Sequence, residues 1–176
     1  MKKILATLFA SALLLVGGGG IAAASDDVCQ VSCGPTFTKE ETAWGKGGEM
    51  GGANWAMFTP YSCACGNFLI AGNPKKSENK VGFVSFSPPD ADGKISITID
   101  VYEWKAKFSD PLTVHIGYYD SAPTDGKNPA PGQLDVNLEH LVLGVDYTFD
   151  AVEQKIVISG LEYHPYYAVH TEVLVK

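Results

Sequence analysis

The sequence predicts an all-β protein, an antiparallel sandwich or jelly roll of about eight strands. Three observations lead to this prediction. Apolar and polar residues alternate with a period of two in several segments, turns rich in Gly, Pro and Asp separate these segments, and no convincing amphipathic helix interrupts them. The alternation is typical of strands with one face buried and one face in water, because successive side chains point to opposite faces of a sheet.

Residues 1–24 have the pattern of a secretory signal peptide. Lys2 and Lys3 form a short positive segment, residues 4–16 are an apolar run, and residues 22–24 offer a small-residue cleavage site. The apolar run is shorter than the ~20 residues that span a bilayer. We therefore expect an exported protein that is cleaved after Ala24. Residues 25–176 would form a single β-sandwich domain, not an integral membrane protein.

All four cysteines fall in the first part of the chain, at Cys29, Cys33, Cys63 and Cys65. Disulfides persist in exported proteins. A bridge between Cys63 and Cys65 would close a strained ring, so we expect Cys29 and Cys33 to pair with Cys63 and Cys65, with both assignments open. The bridges would hold the irregular, glycine-rich segment 25–66 to the first strand. A four-thiolate zinc site is the alternative. However, a single residue separates Cys63 from Cys65, and this spacing is too tight for such a site.

The strands follow from residue 68 onward, and the clearest alternation lies in residues 95–102. There Ile95, Ile97 and Ile99 alternate with polar residues. The dipeptide Asp92-Gly93 marks a hairpin turn just before this strand. The longest loop is predicted at residues 120–133, which contain three prolines and two glycines. The predicted strands are 68–71, 81–87, 95–102, 112–119, 134–139, 145–150, 155–159 and 166–175.

The charge of the chain argues against a nucleic-acid partner. The formal net charge is −7, and the chain contains no arginine, which is the preferred side chain for phosphate and guanine recognition. Acidity either keeps an exported protein soluble or supports cation binding. Residues 90–95 resemble the centre of a calcium loop, but Pro88 and Ile99 occupy positions where that loop needs acidic ligands. We therefore expect a turn here, and no cofactor apart from weak calcium binding by other loops.

No catalytic signature is present in the sequence: it lacks a G-x-S-x-G elbow, an H-E-x-x-H motif, a P-loop and a dinucleotide fingerprint. His115 alternates with apolar residues on one predicted strand, and His170 shares a face of the last strand with Glu172. If the two strands are neighbours, these three residues could bind a metal. The alternative is a pair of ordinary, half-exposed strand histidines.

Aromatic residues provide the other candidate site. Flat aromatic faces beside Asn, Asp and Glu are what sugar rings pack against. The expected core pair is Trp44 and Trp55. The predicted sugar-binding platform consists of the exposed members of a second set, Trp104, Tyr118, Tyr119, Tyr166 and Tyr167.

A series of short motifs follows in order along the chain. They are E-T-A-W at residues 41–44, N-W-A-M-F at 54–58, L-I-A-G at 69–72, P-G-Q at 131–133 and a last strand with His170. This series resembles a poorly characterised domain of secreted and cell-surface bacterial proteins, which has no established activity. The resemblance covers nearly all of residues 25–176 and implies a β fold and an extracellular location. Where that family has a histidine in the segment before V-G, this chain has Thr113. Any role of that histidine would therefore be lost in this protein.

Together these features predict a secreted, non-catalytic protein of the cell surface or extracellular matrix that acts by binding or assembly. Its partner would be an extracellular polysaccharide or a cell-surface protein. A stand-alone carbohydrate-binding module is the first alternative, and a metal-dependent extracellular enzyme is the least favoured one. Self-assembly would need an open edge strand, for which residues 166–175 are the candidate.

Overall fold

The computed structural model describes residues 35–52, 55–62 and 65–176. The predicted signal peptide, Cys29, Cys33 and Cys63 lie outside these residues. Cys65 is exposed and forms no disulfide with a described residue, so the predicted bridges stay a prediction. In the part of the chain that the structure describes, no helix is both long enough and apolar enough to cross a membrane.

The structure confirms the all-β, antiparallel prediction and corrects the number of strands. Every strand pair runs antiparallel. Within the described ranges, four short 3₁₀ helices lie at Ser77–Asn79, Pro111–Thr113, Pro131–Gln133 and Leu138–His140. The described residues form twelve strands rather than about eight: β1 (Lys39–Gly45), β2 (Gly48–Glu49), β3 (Met57–Pro60), β4 (Asn67–Ala71), β5 (Lys80–Phe86), β6 (Lys94–Val101), β7 (Ala106–Phe108), β8 (His115–Tyr119), β9 (Val136–Asn137), β10 (Tyr147–Asp150), β11 (Lys155–Glu162) and β12 (Tyr166–Val175).

All eight predicted strands overlap observed ones, and the four that the sequence did not predict are β1, β2, β3 and β7. Three of these lie in the segment that we expected to be irregular. That expectation is wrong for its described residues, because β1 and β3 pair with β12, which lies more than a hundred residues further along the chain. Pairing with a distant strand stabilises segments whose local alternation is weak.

Strand β12 occupies the centre of the sheet. His170 pairs with Trp44 of β1 on one edge and with His115 of β8 on the other. Along the same two edges, β12 also pairs with β3 near its start and with β7 near its end. From β1 the sheet continues through β4, β5, β6 and β11 to β10. Because β12 is paired on both edges within its own fold, it is not an open edge strand for polymerisation.

The main core is built from apolar rows that cross the sheet. Val84 of β5, Ile99 of β6, Ile156 of β11 and Phe149 of β10 pair in register, and all except the half-buried Phe149 are fully buried. The same core contains residues of β8 and β12. Phe86 contacts Tyr167, with ring centroids 5.1 Å apart. The sheet therefore folds over itself, and two layers enclose one core as in a sandwich.

A second, smaller core covers the opposite face of β12. Along this strand Tyr167 and Val169 face the main core, whereas Ala168 faces the second one. The indole of Trp44 is buried in the second core, and Trp55 packs against this core while staying half-buried. The second core thus places both tryptophans below the segments that build the candidate site.

The turn predicted around residues 90–95 lies between β5 and β6 and is held by the Asp90 carboxylate. Asp90 Oδ1 accepts the backbone N–H groups of Asp92 and Lys94 at 2.9 and 2.8 Å. Gly93 has φ of +75°, a conformation that glycine adopts without strain. The Asp90 carboxylate therefore acts as a local cap for the turn.

Replacing Asp90 by alanine should lower the free energy of unfolding by about 1 kcal/mol, because two backbone N–H groups lose their acceptor. Urea denaturation measures the change. Asp92→Ala is the matched control and should have less than half the effect. Equal effects of the two substitutions would contradict the capping role of Asp90.

Candidate functional site

The aromatic residues that the sequence grouped as one platform lie at two ends of β12. Tyr118 and Tyr119 pair in register with Tyr167 and Tyr166 at the start of this strand. Trp104 lies just before β7, whose first residue pairs with the far end of β12. At about 3.3 Å per residue, the length of β12 separates the two groups by roughly 30 Å. The structure therefore does not bring these five residues into one surface.

Trp104 is the most exposed of the five aromatic side chains, with 60% of its surface accessible. Its ring stacks on Tyr102, with centroids 5.7 Å apart and an interplanar angle of 4°. Lys105 Nζ lies 5.0 Å from the centre of the indole ring. These contacts hold one aromatic ring in a fixed orientation at the surface.

The tyrosines at the other end of β12 are largely packing residues. Tyr167 is fully buried; its hydroxyl donates to the Glu162 carbonyl at 2.9 Å and accepts the His164 N–H at 2.6 Å. Burial raises the pKa of Tyr167 to about 12. Tyr118 is half-buried and stacks on the His164 ring at 5.0 Å, and burial likewise raises its pKa to about 12. Tyr119 and Tyr166 are half-buried against the second core.

An exposed carboxylate completes this end of the strand. The Nδ1 atom of His164 lies 2.9 Å from Asp120 Oδ1, which fits an N–H donated by the imidazole. Asp120 is itself almost fully exposed. The pair fixes the imidazole against Tyr118 and anchors the start of the loop that follows β8.

His115 and His170 are brought into direct contact, as expected for residues that face the same side of neighbouring strands. Their Nδ1 atoms are 3.2 Å apart. They belong to a row that crosses four strands in register, from Asn137 of β9 through His115 and His170 to Trp44 of β1. The rings of Trp44 and His170 contact each other at 4.8 Å.

Burial favours the neutral form of both imidazoles. His170 is only 2% exposed. Burial lowers the pKa of His170 to about 3, and the neighbouring His115 contributes in the same direction. Burial also lowers the pKa of His115, against the opposing pull of the Glu139 carboxylate. Two neutral imidazoles can share one hydrogen bond, in which one Nδ1–H donates to the other Nδ1.

The third residue predicted for this cluster is placed elsewhere along the strand. Glu172 lies two residues beyond His170 and pairs in register with Thr42. Across residues 35–52, 55–62 and 65–176, no three His, Cys, Asp or Glu side chains come close enough to hold a metal ion. The predicted metal site is therefore represented in the structure by its two histidines.

Two polar atoms in the row of His115 and His170 are buried without a hydrogen-bond partner among the described residues. They are the Trp44 Nε1 donor at one end and the Asn137 Oδ1 acceptor at the other. The amide nitrogen of Asn137 does have a partner, the Gly132 carbonyl at 3.4 Å. Buried polar groups normally have a hydrogen-bond partner, so two unpaired polar atoms on either side of a histidine pair call for an explanation.

The sequence did not predict a groove around Trp55. Trp55 lines two adjoining depressions, which have volumes of about 610 and 580 Å³. We call them together the Trp55 groove. The first is lined by Glu49, Gly51, Gly52, 55–57 and 72–75, and the second by Thr42, Trp44, Trp55 and 128–131.

The long loop after β8 closes one side of this groove. A Cβ placed on Gly51 would lie 3.3 Å from Gly126 Cα, and one placed on Gly52 would lie 3.1 Å from the Gly126 carbonyl oxygen. The two backbones therefore approach each other closely, which the absence of side chains permits. Asn128 and Pro129 of the loop also line a neighbouring depression of about 750 Å³ below Tyr118 and Tyr119.

Sequence reasoning assigned Trp55 to the core and gave no role to Asn73, Asn128 or Thr42. The signal that could have identified the groove was the pairing of two features, a glycine-rich segment at 45–52 and a long proline-rich loop at 120–133. Only their contact in space shows that they border one tryptophan.

Comparisons of the chain with protein-family models, with curated proteins and with solved structures found no match. The resemblance to secreted and cell-surface bacterial domains therefore stays a prediction.

Proposed function

We propose that this protein is an exported, non-catalytic binding protein that holds an extracellular polysaccharide in the Trp55 groove. The observation that carries the proposal is the position of Trp55, half-buried at the junction of two depressions and bordered by polar side chains. An indole face packs against the apolar face of a sugar ring, while amides and carboxylates bond its hydroxyl groups. Glu49, Asn73 and Asn128 supply such groups around Trp55.

The shape of the surface supports a polymer rather than a compact ligand. Each depression has a volume within the usual range of ligand sites, about 300–1,000 Å³. The depressions also adjoin others at both ends. Gly72 and Asn73 are shared with a depression beside β1, and Asn128 and Pro129 are shared with the one below the long loop. A connected series of depressions of this kind suits an extended chain of sugars.

The ionisable groups of the groove support binding without cleavage. Among the described residues, Glu49 is the one carboxylate that lines the two depressions of the Trp55 groove, and Lys75 is the one basic residue. Glycoside hydrolysis ordinarily needs two carboxylates that face each other across the bond. Export is supported by the signal-peptide pattern of residues 1–24 and by the cysteines near it.

Replacing Trp55 by alanine should weaken polysaccharide binding at least about tenfold, as expected for a central aromatic contact. The experiment is affinity electrophoresis of the oxidised protein through gels that contain a panel of extracellular polysaccharides, with and without calcium. Asn73→Ala should also reduce retardation, and it leaves the second core intact. Trp104→Ala is the matched control, because Trp104 is exposed but lies outside the groove.

The control also tests the surface predicted from the sequence. Loss of binding in the Trp104 variant, with binding unchanged in the Trp55 and Asn73 variants, would move the site to Trp104 and contradict the proposal. Circular dichroism of each variant separates lost binding from lost folding.

Assembly with a protein partner is the second candidate function, and an apolar turn favours it. Val142, Leu143 and Val145 are all more than half exposed and directly precede β10, which ends the main path of the sheet. Exposed apolar groups of this kind often mark protein contacts. If no polysaccharide retards the protein, this turn is where a protein partner should be sought.

A further inference from the structure

The contact between His115 and His170 has the dimensions of a metal site. Zinc–imidazole bonds are about 2.0–2.1 Å long, so an ion bound by both Nδ1 atoms at a separation of 3.2 Å would subtend an angle of about 100° to 106°. This angle is close to the tetrahedral value. The side chains can therefore accept an ion between them without moving the strands that carry them.

We propose that His115 and His170 bind one transition-metal ion of the kind that prefers imidazole, Zn²⁺ or Cu²⁺, between their Nδ1 atoms. Both ions favour nitrogen ligands, whereas Ca²⁺ and Mg²⁺ favour oxygen. In the metal-free pair, one imidazole donates its Nδ1–H to the other. On binding, the donating ring takes the tautomer that carries its proton on Nε2, and both Nδ1 lone pairs face the ion.

Asn137 is the candidate for a third ligand. It lies directly opposite His115 in the β8–β9 pair, and its Oδ1 is buried with no hydrogen-bond partner in the part of the chain that the structure describes. An amide oxygen is a hard donor and a weaker ligand for these ions than imidazole. The remaining positions would be filled by water, since His115 is only half-buried. The Glu139 carboxylate, whose charge acts on His115, adds favourable negative potential.

The placement of the pair supports this inference. His170 is only 2% exposed, and its Nδ1 atom lies directly against that of His115. The proposal does not depend on polysaccharide binding, although Trp44 links the two regions by contacting His170 and lining the Trp55 groove.

The test is metal titration of the protein expressed from the full reading frame, purified without a histidine tag and freed of metal with a chelator. Calorimetry with ZnCl₂ should show one saturable equivalent. Titration with CuCl₂ should quench tryptophan fluorescence, because the Trp44 ring lies 4.8 Å from that of His170. CaCl₂ should produce neither signal at this site.

Substitution of either histidine should weaken the one-equivalent binding by more than about tenfold, as for removal of one of two main ligands. His170→Asn and His115→Asn are the test variants, and the half-buried His115 is the safer of the two for folding. His140→Asn is the matched control, because His140 is exposed and pairs only with Glu139 among the described residues. It should bind like the wild type.

Absence of saturable binding would overturn the proposal. Binding that survives in a folded His115→Asn variant would overturn it as well, because the ion would then sit elsewhere, on cysteine thiolates or on the amino terminus. Near-ultraviolet circular dichroism establishes which variants are folded.

Discussion

Replacing Ile99 by alanine will lower the free energy of unfolding by about 2–5 kcal/mol, among the largest effects of any single core truncation in this protein. Ile99 is fully buried on the central part of β6. It pairs with Val84 on one side and Ile156 on the other, and both are fully buried too. Removing three carbon atoms there leaves a cavity. The neighbouring strands β5 and β11 are held to β6 by hydrogen bonds and cannot move in to fill it.

The neighbouring residue supplies the control for this prediction. Thr98 lies on the opposite face of the same strand and is half-buried, so Thr98→Ala should change the free energy of unfolding by less than about 1 kcal/mol. Urea denaturation followed by tryptophan fluorescence gives both values. A cost below 1 kcal/mol for Ile99→Ala would show that the row from β5 to β11 is not the centre of the core.

The second large effect concerns alkaline pH and Tyr167. Its pKa is raised to about 12 in the folded protein, from an ordinary value of 10. Between these two values the unfolded chain has lost the phenolic proton while the folded protein keeps it. The unfolded state therefore binds fewer protons, and stability falls as the pH rises. The loss from this one group reaches about 2–3 kcal/mol at pH 12, and it is absent below pH 10.

Replacing Tyr167 by phenylalanine should reduce the slope of stability against pH between pH 10 and 12. At pH 7 the same variant should be less stable by about 1–3 kcal/mol, because the His164 N–H loses its acceptor and the Glu162 carbonyl loses its donor. Denaturation curves at several pH values measure both effects. Tyr163→Phe, at a side chain that is 45% exposed, is the control, and an unchanged slope in the Tyr167 variant would contradict the argument.

The parts of the fold that could be predicted from the sequence are those in which local alternation and burial coincide. Strand β6 is the clearest case, because each of its isoleucines faces the core and each intervening residue faces outward. Strand β3 could not be found in this way, since three consecutive residues of it are buried. Strand β1 begins with exposed charged residues. Both are stabilised by pairing with β12, and local periodicity carries no information about such a distant partner.

The same distinction applies to the candidate sites. The contact of His115 with His170 was predictable, because both alternate with apolar residues on strands that could be neighbours. Glu172 shares that face, but two residues along a strand move a side chain by about 6.6 Å, so alternation alone did not place it in the contact. Trp55 was assigned to the core because its half-exposed state depends on how the loop of residues 120–133 meets Gly51 and Gly52. No local pattern encodes that contact.

The central position of β12 has a consequence for folding kinetics. Its pairing with β1 joins Lys39 to Val175, so nearly the whole described chain must be closed into one loop before this part of the sheet forms. Hairpins such as β5–β6 and β10–β11 close short loops and can form early. The barrier to folding is therefore expected to lie in the docking of β12 between β1 and β8, and folding should be slow for a domain of this size.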